Sequence, residues 1–217
     1  ALPIYLWMEM PEQYRLGVMR FASENGMAGL SFRVAEIIRK DTGVSWYGAL
    51  YPHPQFKVDY DIDEALVWAI SRQESGFNPR AKSSAKAAGL MQLMPATASF
   101  IARDRGYRGR KRHQLFEPEL NLRLGQTYIQ HLLDEPLVES SLIRLLAAYN
   151  GGPGNLRKWL GKVDHQDDPF LLVESMPARE TRYYVKNVIS NLGIYRQRFG
   201  ETTPALSGLA AGNGGKF

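Results

Sequence analysis

The 217-residue sequence contains no cysteine, which excludes a disulfide framework, a thiol nucleophile and a thiolate metal site. The chain would therefore fold equally well in an oxidising or a reducing compartment. It also has no Gly-x-Ser-x-Gly motif, which argues against an esterase or peptidase of the α/β-hydrolase type. No apolar run approaches the roughly 18 residues that a membrane-spanning helix needs. We therefore expect no transmembrane segment.

Histidine is also scarce. The four histidines, His53, His113, His131 and His165, are scattered without the spacing of metal ligands. Each is expected to be a surface or packing residue, and the sequence predicts no metal and no cofactor. Residues 1–7 lack an initiator methionine and a charged segment followed by a long apolar run, so they are not interpreted as a signal peptide. We interpret the chain as a processed or trimmed piece.

The charge balance is basic, with 27 Lys and Arg against 22 Asp and Glu, a formal net charge of +5. This favours anionic partners, which include nucleic acid, a membrane surface and cell-wall polymer. The densest basic cluster, residues 103–112, could be a phosphate-binding loop, but its glycines and its place between helices favour a solvated connection. No nucleic-acid-binding module is recognisable, and we predict no nucleic-acid partner.

Nearly every periodic segment of the sequence predicts a helix. The predicted helices are 12–25, a second segment around 32–38, then 61–74, 96–105, 118–133, 137–149 and 177–199. Two prolines near residue 53 indicate a domain junction, while 89–94 is too short for a helix and could be a turn or a small strand. The predicted organisation is a helical segment over 1–56, a helical domain over 57–200 and a disordered tail over 201–217.

One carboxylate extends an apolar helix face. Val67, Ile70 and Glu74 recur at intervals of three and four residues, so they share one side of the predicted helix. A carboxylate held against apolar neighbours loses hydration, which raises its pKa toward the range of a general acid. The alternative is that Glu74 turns outward at the helix end and pairs with a nearby cation, for which Arg72, Arg80 and Lys82 are the candidates.

Four separated motifs occur in order around and after this glutamate. They read Ser71-Arg72-Gln73-Glu74-Ser75-Gly76-Phe77-Asn78-Pro79, Gly89-Leu90-Met91-Gln92-Leu93-Met94-Pro95-Ala96-Thr97-Ala98, Ala148-Tyr149-Asn150-Gly151-Gly152-Pro153-Gly154, and Glu174-Ser175-Met176-Pro177 with Glu180-Thr181-Arg182-Tyr183-Tyr184-Val185. Over residues 58–200 this set resembles the soluble lytic transglycosylases, bacterial lysozyme-like enzymes that cut peptidoglycan strands. The helices before it resemble the end of the helical superhelix that precedes the catalytic domain in large family members.

The resemblance implies a mainly α, lysozyme-like fold and assigns individual residues. Glu74 matches the catalytic acid/base, while the positions matching the glycan groove are Ser83, Gln92, Met94, Tyr149 and Glu174. We add Asn150, because its amide, like that of Gln92, can bind the N-acetyl and hydroxyl groups of aminosugars. One departure is Lys86, where the family usually has glycine. If this position needs a positive φ, the loop geometry here must differ.

The resemblance also implies a mechanism. Glu74 would protonate the bond between N-acetylmuramic acid and N-acetylglucosamine, and would then remove the proton of the muramoyl 6-hydroxyl. The product would be a 1,6-anhydro end formed without water, on peptidoglycan in the periplasm or cell envelope. Two alternatives remain: a hydrolytic muramidase in which a second carboxylate such as Glu174 positions water, and a glycan-binding module without turnover.

Overall fold

The computed structural model describes residues 10–166, 168–210 and 212. The predictions for residues 1–7 and for the last five residues lie outside this part. Within it, the α-helices are α1 Glu12–Glu24, α2 Ala28–Thr42, α3 Tyr47–Leu50, α4 Glu64–Ser75, α5 Pro95–Ile101, α6 Pro118–Leu133, α7 Leu142–Gly151, α8 Pro153–Leu160, α9 Pro169–Ser175, α10 Arg179–Phe199 and α11 Pro204–Ala210. Two 3-10 turns, Arg105–Arg108 and Arg112–Phe116, connect α5 to α6.

The centre of the structure is α4, which carries Glu74. Residues 65–71 are all buried, as expected of a core helix that is apolar on every side. Its N-terminus is capped by Asp63, whose carboxylate accepts hydrogen bonds from the amides of Ala65 and Leu66. The same carboxylate forms an ion pair with Arg196 of α10, the long helix that packs along α4.

A second, smaller cluster lies beside the main core. Its buried members are Ala88, Leu93, Ala98, Tyr107, Leu115 and Leu124. Residues 82–93 form turns held by two antiparallel β-bridges, from Lys82 to Ala88 and from Ala88 to Leu93. No strand forms in the described part of the chain. The prediction left open for residues 89–94 therefore resolves to a turn with isolated bridges.

The N-terminal helices share the main core with the rest of the chain. Val34 and Ile38 of α2, together with Leu50 and Tyr51 at the end of α3, belong to the same buried cluster as Trp68 of α4. Packing therefore continues across the junction predicted at the prolines near residue 53.

Several helix bounds differ from the predicted ones. Helix α7 begins at Leu142, five residues late, because Glu139 and Ser140 adopt positive φ values of 51° and 56°. Helix α5 ends at Ile101, shortly before Arg103, which has a φ of 51°. The short helices α3, α8 and α9 were not predicted, since they have too few turns for a periodic pattern.

The prediction of a disordered tail is wrong for residues 204–210. They form α11, whose Leu209 is 3% exposed. An added Cβ at Gly193 of α10 would lie 2.9 Å from Leu206, so the two helices are in close contact. Leu206 and Leu209 thus pack this segment against the main core, although its composition is rich in small residues.

The densest basic cluster of the sequence lies at the surface. Residues 103–112 run over the surface between α5 and α6, and Lys111 of this cluster pairs with Asp104 at 2.6 Å. Among the described residues, no helix combines the length and apolarity required to cross a membrane.

Candidate active site

Glu74 lies in the last turn of α4. The helix ends at Ser75 and is followed by a left-handed glycine, Gly76, with a φ of 54°. Val67 and Ile70 on the same face are completely buried, and Glu74 itself is only partly exposed. Burial raises the pKa of the Glu74 carboxyl to about 7. A carboxyl group with this pKa exchanges its proton near neutral pH, as general acid/base catalysis requires.

Two neighbours modify this pKa in opposite directions. The Tyr184 hydroxyl interacts with the Glu74 carboxylate and lowers its pKa, while the negative charge of Glu180 raises it. The Tyr184 hydroxyl is buried, and among the described residues it has no partner at full hydrogen-bond geometry. Glu180 is exposed in the first turn of α10. The proton affinity of Glu74 is therefore adjusted by residues more than a hundred positions away in sequence.

Tyr149 connects Glu74 to residues 91–94, the segment that carries Gln92 and Met94. Its hydroxyl donates a 2.9 Å hydrogen bond to the carbonyl of Met91, and its ring lies nearly parallel to that of Tyr184, with centroids 6.5 Å apart. Burial, followed by the charge of Glu74, raises the pKa of the Tyr149 hydroxyl. Tyr149 thus stays protonated and acts as a donor that holds the 91–94 segment next to α7.

Aromatic contacts continue outward from Tyr149. The Tyr128 ring lies 5.3 Å from the Tyr149 ring and 6.5 Å from that of His131. His131 in turn contacts Phe100, at 5.0 Å, and the Phe100 side chain is 60% exposed. Ring contacts therefore run from the surface of α5 to the catalytic candidate.

Gln92 and Met94 lie on the segment that Tyr149 holds. The Gln92 amide donates to the carbonyls of Ala81 and Gly89, at 3.0 and 2.8 Å, so its Oε1 remains available to a ligand donor. Gln92 adopts a φ of 47°, a conformation uncommon for residues other than glycine. Met94 is 39% exposed and precedes α5.

Ser83 and Lys86 shape the preceding loop. The Ser83 hydroxyl accepts a 3.0 Å hydrogen bond from the amide of Ala87 and is partly exposed. Lys86 has a φ of 76°, so the position does require the left-handed region. The lysine adopts that conformation despite the steric cost of its Cβ.

Asn150 and Glu174 have other partners. Asn150 accepts a 2.7 Å hydrogen bond from the Thr181 hydroxyl, which ties α7 to α10. Glu174 is exposed on α9, forms an ion pair with Lys186 and does not contribute to the pKa shift of Glu74. The structure thus brings Glu74 and Tyr149 together next to the Gln92–Met94 segment, and it gives Glu174 a separate, solvent-exposed environment.

The alternative environment considered for Glu74 is not found in the structure. Arg72, a candidate ion-pair partner, points to Glu36 of α2 instead, at 3.3 Å. No ion pair of Glu74 with Arg80 or Lys82 occurs among the described residues. The structure also contains, over those residues, no cluster of three or more His, Asp or Glu side chains able to hold a metal ion.

Sequence reasoning assigned no role to three residues of the site. Tyr184 and Glu180 lay within a motif that was recognised, so the signal was present. Asn121 lay in no motif: it is completely buried, accepts from the amide of Met91 at 2.8 Å and donates to the carbonyls of Ala88 and Leu115. It secures the segment carrying Gln92 to α6.

The comparisons with known proteins agree with this geometry. Residues 55–170 match the family model of the transglycosylase SLT domain. The chain is 41% identical over 150 residues to the soluble lytic murein transglycosylase of Salmonella typhimurium, covering 68% of this chain and 23% of that protein. It is 33% identical over 152 residues to the membrane-bound lytic murein transglycosylase C of Photorhabdus laumondii, covering 62% of this chain and 43% of that protein.

Solved structures give the same result. The 70 kDa soluble lytic transglycosylase of Escherichia coli superimposes with a TM-score of 0.78 at 32% identity, over 90% of this chain and 32% of that one. An inactive mutant of the lytic transglycosylase Slt from Pseudomonas aeruginosa gives 0.77 at 28% identity, over 93% of this chain and 33% of that one.

These matches confirm the predicted mainly α, lysozyme-like architecture. The chain spans about a quarter of the length of the curated soluble relatives it matches. The family model covers more than half of the present chain and includes Glu74 with its motif. The chain therefore belongs to the transglycosylase SLT domain family.

Proposed function

We propose that this protein is a lytic transglycosylase that cleaves the β-1,4 bond between N-acetylmuramic acid and N-acetylglucosamine in peptidoglycan. The observation that carries this proposal is the Glu74 carboxyl, whose pKa is about 7 because it is desolvated at the end of a buried helix. The relatives named as lytic murein transglycosylases support the same substrate. Residues 57–200 would form the catalytic unit, acting in the periplasm or cell envelope.

Glu74 would act in both halves of the reaction. In its protonated form it would donate to the leaving glycosidic oxygen, which cleaves the C1–O bond and leaves Glu74 as a carboxylate. The carboxylate would then accept the proton of the muramoyl 6-hydroxyl while that oxygen closes on C1, which gives a 1,6-anhydro end. Glu74 ends the reaction protonated, as it began, so a single carboxyl group suffices. Its pKa near neutrality suits both proton donation and proton acceptance.

The surrounding polar groups would bind the glycan. Gln92 Oε1 and Asn150 Nδ2, neither engaged by the contacts described above, would respectively accept from and donate to sugar substituents. The partly exposed Met94 would offer apolar surface to a sugar face. Ser83, in the loop that precedes Gln92, would contact the glycan through its hydroxyl. Tyr149 would position the segment that carries Gln92. Glu174 would contact the substrate only at the rim, because it is exposed and paired.

A hydrolytic muramidase is the second candidate, and Glu180 is the carboxylate that favours it. The charge of Glu180 raises the pKa of Glu74, as expected of a carboxylate close enough to position a water molecule at the site. Mass spectrometry of purified peptidoglycan digested by the protein separates the two reactions. We expect muropeptides with anhydro ends, absent from a digest by Glu74→Gln. Reducing ends would instead identify a hydrolase, and no products from the wild type would identify a binding module.

The pH dependence of kcat should change when either residue that modifies the pKa of Glu74 is replaced. Since the first step needs protonated Glu74, kcat on soluble glycan strands should fall above about pH 7. Tyr184→Phe removes the hydroxyl that lowers this pKa, so the alkaline limb should move to higher pH. Glu180→Gln removes the charge that raises the pKa, so its limb should move to lower pH.

Both variants are suited to this test. The Tyr184 hydroxyl has no full hydrogen bond to lose within the described residues, and Glu180 is exposed, so neither change should unfold the protein. Glu201→Gln, an exposed carboxylate beyond α10 that does not affect Glu74, is the control and should leave the profile unchanged. Shifts of both variants in the same direction would contradict the assignment of Glu74 as the titrating group.

A further inference from the structure

The turn that follows Glu74 has an unfavourable backbone. Gly76 and Phe77 have φ values of 54° and 61°, so two consecutive residues lie in the left-handed region. Glycine tolerates this region, but phenylalanine does not adopt it readily. Such a conformation persists only where surrounding contacts impose it. The contacts at this turn come largely from α2, outside the region matched by the family model.

Helix α2 packs directly on the backbone of the turn. An added Cβ at Gly29 would lie 2.8 Å from the carbonyl oxygen of Phe77, so the two backbones are in contact. The Phe32 ring covers Gly76, where an added Cβ would lie 2.7 Å from Phe32 Cε1. Phe32 also meets the Phe77 ring edge to face, with centroids 5.6 Å apart.

Arg72 joins the last turn of α4 to α2, and also to α3 and α10. Its guanidinium donates to the Leu50 carbonyl at 2.9 Å, to Asn191 Oδ1 at 3.0 Å and to Glu36 Oε1 at 3.3 Å. It lies 4.9 Å from the centre of the Phe32 ring and 4.3 Å from that of the Tyr51 ring. The side chain is 15% exposed, so these contacts are shielded from water.

Open space flanks this contact. One cavity of about 450 Å³ borders Gly29 and Phe77, and a second of about 640 Å³ borders Phe32, Arg72 and Gly76. These volumes leave room for the turn to shift if the α2 contacts are lost, while Phe77 would keep its contact with Trp68 of α4.

We propose that α2 positions the catalytic carboxylate, with Arg72, Phe32 and Gly29 as positioning residues that fix the turn on which Glu74 depends. None of the three acts on the substrate. The inference rests on the proposed role of Glu74. An acid/base group displaced by about 1 Å can lose a hundredfold in rate, so a small shift of this turn is sufficient for a large effect.

Matched glycine variants test the backbone contact. Gly29→Ala places a methyl group against Phe77, whereas Gly17→Ala in α1 meets nothing within 4 Å. Alanine is the better helix former at both sites, so neither helix should be weakened intrinsically. We expect Gly29→Ala to lower kcat on soluble glycan strands about 10- to 100-fold with KM within twofold, and Gly17→Ala to match the wild type.

Matched arginine variants test the contacts of Arg72. They provide an independent test if Gly29→Ala fails to fold. Arg72 and Arg39 both pair with Glu36, but Arg72 does so from α4, whereas Arg39 forms its pair within α2. Arg72→Lys keeps the charge but replaces the planar guanidinium, whose three nitrogens reach three separate acceptors, with a single ammonium, and it should lower kcat about tenfold or more. A looser turn hydrates Glu74, so the alkaline limb of its pH profile should move to lower pH. Arg39→Lys should change neither quantity.

The outcomes separate this inference from the proposed function. Wild-type kcat and pH profile in folded Gly29→Ala and Arg72→Lys, with Glu74→Gln inactive, would overturn the positioning role and leave the function intact. A fully active Glu74→Gln would instead remove the basis of both. A loss of stability in either variant without a change in kcat or in the pH profile would assign α2 a purely structural role.

Discussion

Glu74→Gln is expected to lower the rate of peptidoglycan cleavage by roughly 10²- to 10⁴-fold, the usual contribution of a general acid/base. Glutamine keeps the shape of the side chain and its apolar contacts but has no proton to donate near pH 7. Release of soluble products from purified peptidoglycan, measured at pH 6, gives the rate. Glu201→Gln is the matched control and should retain the activity at this pH, since Glu201 is exposed and does not affect Glu74.

The same variant should be at least as stable as the wild type. The pKa of Glu74 is about 7 in the folded protein against an ordinary value of 4.5. The folded state thus holds this proton more tightly, and the wild type loses stability as pH rises from about 4.5 through 7. Glutamine has no such dependence. Above pH 7 the variant should gain about 3 kcal/mol at most, less to the extent that water reaches the carboxyl.

Urea unfolding at pH 4 and pH 8 measures this difference. We expect the two proteins to differ more at pH 8 than at pH 4, in favour of Glu74→Gln. An inactive variant that is also less stable at pH 8 would contradict the desolvation of Glu74. A near-wild-type rate in a folded variant would remove Glu74 from the mechanism altogether.

Asn121→Ala is expected to lower the free energy of unfolding by about 3 to 6 kcal/mol. The asparagine side chain makes three hydrogen bonds with the buried backbone of Ala88, Met91 and Leu115. Alanine would leave the Met91 amide and the Leu115 carbonyl buried without a partner, whereas the Ala88 carbonyl would keep its hydrogen bond from the Leu93 amide. A buried polar group without a partner costs more than the loss of a hydrogen bond exposed to water. For a chain of this length, the melting temperature should fall by roughly 6 to 24 °C.

The control is Thr127→Ala, an exposed position on the same helix, which should change stability by less than about 0.5 kcal/mol. Because Asn121 holds the segment bearing Gln92 and Met94, cleavage should also slow at temperatures where Asn121→Ala remains folded. A melting temperature within 2 °C of the wild type would mean that other contacts hold residues 88–94 in place.

The helix from Pro118 to Leu133 was predicted with both ends correct. Proline favours the first helical position, and the apolar stripe repeats over four turns, so the local sequence contains all the information needed. The start of α4 was predicted three residues early because the periodic pattern extends past Asp63, the residue that caps the helix. The face of Glu74 was also predicted correctly, since helical spacing fixes which side chains share a side.

The sequence by itself thus determined the helical class, the family motifs and the position of Glu74 on an apolar face. Only the tertiary structure decided the proton affinity of Glu74, which depends on Tyr184 and Glu180 from a distant helix. It likewise directed Arg72 to Glu36 of α2 and placed Glu174 at the surface in an ion pair with Lys186, neither of which the local sequence indicates. The physical reason is that helical periodicity is a local property, whereas desolvation and pairing depend on groups that meet only when helices pack.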